Sequence, residues 1–200
     1  MSLSYFGATS VGIKAKNGVV LASEKRLAYG GYIMSRGAKK VYKVTDRIGV
    51  AFAGLFADLQ ALTRFLRAEV KFYEVTSNRV MTVKSAAKLL SNILYSQKFI
   101  PFLSEAIVGG IDPDGPHVYV LDPIGSLIED DYAALGSGAS IAIGVLESGY
   151  TSDITLENAE KLAVSSIEAA IKRDAASGDG VDLIIISEGG IVEKEVKVKR

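Results

Sequence analysis

The chain has 200 residues, 48% of them hydrophobic and 23% charged, with 23 basic against 23 acidic side chains and no cysteine. That is enough chain and apolar surface for a globular domain with a substantial core, and it excludes a disordered segment, a disulfide scaffold and a thiolate metal site. Balanced charge gives no footing for binding nucleic acid or a membrane surface, and no run of about 18 apolar residues offers a membrane span.

Residues 1–7 lack the basic and apolar regions of a signal peptide and are expected to be a short leader, with one domain over 8–200. The protein is expected in the cytoplasm. Alternating segments at 9–15 and 18–23 flank Lys16-Asn17-Gly18, and Asn-Gly accepts the positive φ of a tight turn, so a β-hairpin is predicted. Short strands follow at 39–44 and 47–54, the second ending at Gly54.

Leu59, Leu62, Leu66, Val70 and Tyr73 recur at steps of three and four, which predicts a helix over 56–74 with one apolar stripe. A second helix is predicted from Thr82, its N-cap, with Ala86, Leu89, Leu90, Ile93 and Leu94 inward. EAIVGGID and PHVYVLDP read as strands paired around Asp112-Pro113-Asp114-Gly115, GSLIED as another strand, and the stretch after Gly138 as a helix. A long helix is predicted from Thr155 to Arg173, and VDLIIIS with GIVEKEVKV as a closing hairpin.

The single histidine, His117, falls inside an alternating strand and has neither a metal cluster nor a serine partner in sequence, so it reads as structural. The order is strands, two helices, strands, two helices, strands. Hairpins imply antiparallel sheets and paired helices imply outer layers, so the fold class expected is α+β, a four-layer αββα sandwich.

The segments SVGI, ASEKR at 22–26, AKK at 38–40, AGLFAD at 53–58, GSGAS at 136–140, GVLES at 144–148 and RDAASGDGVDL at 173–183 together resemble the β subunits of archaeal proteasomes. The resemblance spans nearly everything after Gly7. It implies the αββα fold of N-terminal nucleophile hydrolases, rings of seven β subunits stacked between α-subunit rings, unfolded polypeptide as the substrate of the particle, and no cofactor or metal. An α-type subunit is expected to carry a helix ahead of its first strand, which seven residues do not provide.

The chemistry implied is that of an N-terminal threonine. A hydroxyl is a weak nucleophile until a base takes its proton, and an α-amine titrating near ~8 serves as that base. A neighbouring lysine ammonium favours the neutral amine, a carboxylate holds the lysine, and a backbone N–H stabilises the oxyanion. By resemblance Lys40 is the lysine, Glu24 its carboxylate, Ser137, Asp174 and Ser177 the polar support, and Gly54 the oxyanion donor. Leu27, Ala28, Ala38, Phe52 and Phe56 fall where the substrate pocket lies, with Ala28 at a place where the family often carries threonine.

The nucleophile position itself falls on Ala8, which has no hydroxyl. Cleavage at Gly7–Ala8 therefore frees no nucleophile, whereas cleavage at Ala8–Thr9 makes Thr9 N-terminal. In a strand a shift of one residue reverses the side chain, so the Thr9 hydroxyl is expected to face away from Lys40. The chain reads as a β subunit lacking its nucleophile, with an active threonine protease using Thr9 as the alternative. Gly7, a cleavable position, favours an introduced alanine; the departures at Ala28 and Ser10 favour a natural silent subunit, which is the reading taken.

Overall fold

The computed structural model describes residues 7–29 and 31–198. Its elements in chain order are β1 Thr9–Ala15, β2 Gly18–Glu24, β3 Leu27–Tyr29, β4 Tyr32–Ser35, β5 Val41–Lys43, β6 Ile48–Gly54, α1 Phe56–Ser77 and α2 Val83–Ser96. These are followed by β7 Ser104–Asp112, β8 Gly115–Leu121, β9 Leu127–Asp130, β10 Tyr132–Gly136, α3 Ala139–Gly149, α4 Leu156–Arg173, β11 Val181–Ser187 and β12 Gly190–Val196.

Two five-stranded sheets form, ordered β10-β1-β2-β11-β12 and β5-β6-β7-β8-β9, with β3-β4 as a separate ribbon. Every pairing in the large sheets is antiparallel. Strand alternation divides the apolar residues among three cores. Val11, Ile13, Ala15, Val20 and Ala22 pack under α3 and α4. Val19, Leu21, Ala51, Ala53, Ile107 and Ile184 fill the space between the sheets. Val50, Phe52, Val108, Leu59, Leu66 and Leu90 lie under α1 and α2. The result is helices, sheet, sheet, helices: the expected αββα sandwich. No described helix is long and apolar enough to cross a membrane.

The local signals account for the caps. The Thr82 hydroxyl accepts from Ser85 N at 3.2 Å and the Thr155 hydroxyl from Asn158 N at 3.3 Å, so each satisfies one orphan donor of its helix. Three features depart from expectation. The strand read at 39–44 contracts to Val41–Lys43; Ala38 N turns to the Lys25 carbonyl at 2.9 Å, while the Lys40 carbonyl still accepts from Phe52 N at 3.0 Å. The first helix runs on to Ser77, where Asn78 ends it at φ 52. Strands β3, β4 and β10 were not anticipated; β10 reads Tyr-Ala-Ala-Leu-Gly, poor in β-formers, and exists because it pairs with β1 from Thr9↔Gly136 to Ile13↔Tyr132.

Candidate functional site

The expected site residues converge at the open end of β1. Ala8, just ahead of that strand, is fully buried, and its methyl joins the inter-sheet cluster with Val41, Ala51 and Ala53. Gly136 lies directly against it: at φ +89, a Cβ there would sit 2.1 Å from the Ala8 carbonyl oxygen. The close approach of this backbone is possible only for glycine.

Glu24 and Lys40 form one half of the site. Both are buried, at 0% and 1% exposure, and Lys40 Nζ donates to Glu24 Oε1. The same ammonium donates to the Glu24 carbonyl at 3.3 Å and to the Arg26 carbonyl at 2.6 Å. An ammonium has three protons, and these acceptors take all three. Glu24 Oε2 in turn accepts from Arg26 N at 2.6 Å and Gly178 N at 3.0 Å. Burial pushes the Glu24 carboxyl above its ordinary value, opposed by the Lys40 charge and by these hydrogen bonds.

Asp174 organises the other half. It caps the end of α4, its N–H donating to the Ala170 carbonyl at 2.7 Å. Its Oδ2 accepts from Ser137 Oγ at 2.6 Å and from Ser177 Oγ at 2.7 Å, and its Oδ1 from Ala176 N at 3.1 Å. Ser177 Oγ lies 2.7 Å from Thr9 Oγ1. Because a carboxylate only accepts, the single Ser177 proton goes to Asp174, and Thr9 donates to Ser177. The two halves meet at the loop 174–180, whose Gly178 N–H reaches Glu24.

The Thr9 side chain lies on the helix side of its sheet, with Val11 and Ile13, while Ala8 faces the gap between the sheets. A Cβ on Gly138 would lie 2.1 Å from Thr9 Oγ1, so the α3 N-terminus covers that hydroxyl. Gly54 closes β6 at φ +127, held against the Leu103 carbonyl. Among the pocket candidates, Ala38 is buried at 5%, Leu27 and Ala28 are half-buried on β3, and the Phe52 ring is fully buried in the core under α1 and α2 with Phe56 packed at its edge. The rings face those helices, not the gap that holds Ala8.

Two contacts had no local signal. Ser10 Oγ donates to the Phe52 carbonyl at 2.6 Å, tying the sheets together. Arg26 donates through Nε to Asp179 Oδ2 at 2.8 Å and through Nη1 to the Ala175 carbonyl at 2.9 Å, pinning the loop that carries Ser177. The GDG stretch with Asp179 at φ 72 was the nearest hint of a loop with a special backbone.

A family model described as proteasome subunit matches residues 5–186. The chain is 57% identical over 188 residues to proteasome subunit beta 1 of Hyperthermus butylicus, spanning 93% of this chain and 92% of that one. It is 53% identical over 193 residues to proteasome subunit beta 2 of Pyrobaculum arsenaticum, spanning 96% and 95%. It is 53% identical over 186 residues to proteasome subunit beta 2 of Thermofilum pendens, spanning 93% and 91%.

Proposed function

Because the chain belongs to the proteasome subunit family, as a β subunit of an archaeal proteasome core, we propose that it builds the wall of the degradation chamber without attacking peptide bonds itself. The particle hydrolyses protein. In this reading threonine-type nucleophiles on neighbouring β chains do the cutting, α and β rings of seven stack in the cytoplasm, and unfolded polypeptide is the substrate. Residues 8–200 act as one β-type domain behind a leader.

The observation that carries the reading is Ala8. Covalent catalysis requires an oxygen or sulfur to form the acyl bond, and a methyl group buried among Val41, Ala51 and Ala53 offers none. The surrounding shell is retained. Lys40 and Glu24 keep the geometry that favours the neutral form of an α-amine, Ser137, Asp174 and Ser177 the one that moves its proton, and the Gly54 N–H the place of an oxyanion donor. In this chain those groups hold structure. Lys40 spends its protons on Glu24 and Arg26, and Ser177 links Thr9 to Asp174.

The test is the intact mass of the chain after co-assembly with its partner subunits, followed by exposure to a hydroxyl-directed electrophile. No adduct on this chain, with an N-terminus at or before Ala8, is the expected result. An N-terminus at Thr9 carrying the electrophile overturns it and makes Thr9 the nucleophile.

A further inference from the structure

We infer that Gly7 is a permanent part of the subunit, seated in a slot that only glycine fits, with the Gly7–Ala8 bond shielded from cleavage. This rests on the reading that the chain does not cut itself, and it gives Gly7 a purpose unrelated to self-cleavage.

Gly7 and Ala8 are both buried. A Cβ on Gly7 would sit 1.9 Å from the Ala176 Cβ, 3.2 Å from the Ala176 Cα and 3.0 Å from Ser137 Oγ. The first distance is far inside any contact that two carbons tolerate. The space at this position demands glycine by itself.

The wall cannot retreat. Ala176 N is held by Asp174 Oδ1, Ser177 N by the Asp174 carbonyl at 3.2 Å, and Ser177 Oγ by Asp174 Oδ2. Gly178 N is bonded to Glu24, its carbonyl accepts from Lys25 N at 3.0 Å, and the Ala175 carbonyl accepts from Arg26. The facing wall, Ser137, is bonded to the same Asp174. A short, rigid methyl on a loop fixed at six points leaves a side chain at position 7 nowhere to go. A protease acting on Gly7–Ala8 must first open this slot, because a buried bond cannot be drawn into another cleft.

The experiment uses the full chain. Gly7→Ala is expected to lower Tm by roughly 5 °C, the scale of overpacking in a domain of this size. Adding Ala176→Gly in the same chain is expected to recover more than half of that loss, measured against Ala176→Gly alone. If Gly7→Ala does not fold, the double variant decides, and it is expected to fold. In particles that include an active β chain, intact mass is expected to retain residues ahead of Ala8. An unchanged Tm for Gly7→Ala, a loss that Ala176→Gly leaves untouched, or an N-terminus at Ala8 each overturns the inference while leaving the silent-subunit reading intact. An N-terminus at Thr9 with an electrophile adduct defeats that reading instead.

Discussion

Lys40 is a charge carried into a closed interior. Its ammonium has no solvent and depends on Glu24 and two carbonyls, so it acts as a pin for the connection between β2 and β3. Removing one member of such a pair leaves the other charged and buried, which costs about 3–5 kcal/mol. Lys40→Met is therefore expected to destabilise the isolated chain by that order. The loss also depends on pH. The Glu24 carboxyl already sits above its ordinary 4.5 through burial, and losing Lys40 removes the main force lowering it. A carboxyl with a raised folded-state pKa binds its proton more readily folded than unfolded. Its contribution is complete below 4.5 and disappears as pH rises through the folded value. Urea midpoints for Lys40→Met should fall further behind the parent at about pH 8 than at about pH 5, as Glu24 ionises unpaired. Equal deficits at both values would tell against this account.

At the scale of elements, α1 carries two apolar stripes and the fold buries only one. Leu59, Leu62, Leu66 and Val70 face the core. On another side Ala61, Phe65, Ala68, Phe72 and Val75 follow one another at alternate steps of four and three, the spacing of a helix-pairing seam. Phe65 is 50% exposed, and Phe72 and Val75 are each 67% exposed. A subunit that assembles with others has a use for such a seam, whereas the isolated chain has none. Phe72→Glu is expected to change the stability of the isolated chain by no more than about 0.5 kcal/mol while sharply reducing assembled particle on gel filtration. A variant that assembles normally would remove the seam from the interface. Helix α3 offers the opposite case: Gly144 is exposed, and a Cβ there meets nothing within 4 Å. Gly144→Ala should stabilise the isolated chain by up to about 1 kcal/mol in chemical denaturation, the propensity difference between the two residues.

The whole molecule is held by three cores, and the middle one is thin. Where β7 faces β2, a Cβ on Gly109 would lie 2.7 Å from Val19 Cγ1 and 3.0 Å from Leu21 Cδ2. On β1, a Cβ on Gly12 would meet Ile107 Cγ2 at 2.7 Å. These glycines let large residues on one sheet fill space opposite bare backbone on the other. Gly109→Val is expected to wedge the sheets apart, costing about 1–3 kcal/mol: the urea midpoint drops while the m-value holds. A variant as stable as the parent would mean that the inter-sheet core has room to spare.

How much of this was legible in sequence follows from the range of each interaction. Asn17-Gly18 marks the first hairpin, Thr82 and Thr155 mark two helix starts, and the three- and four-residue steps mark the buried stripes, because each depends on neighbours along the chain. The layer order follows from these elements, and the motif spacing pointed to the family. The rest was decided by residues that meet only in the folded chain. Thr9 and Ser177 are 168 positions apart and share a hydrogen bond. β10 is a strand only because β1 pairs with it, and Phe52 turns its ring to the helices because Ala51 and Ala53 occupy the other face. Sequence by itself determined which residues could do chemistry and that position 8 holds none of it. Tertiary structure decided that Gly7 is set by the Ala176 methyl, since a steric wall exists only once distant segments are packed together.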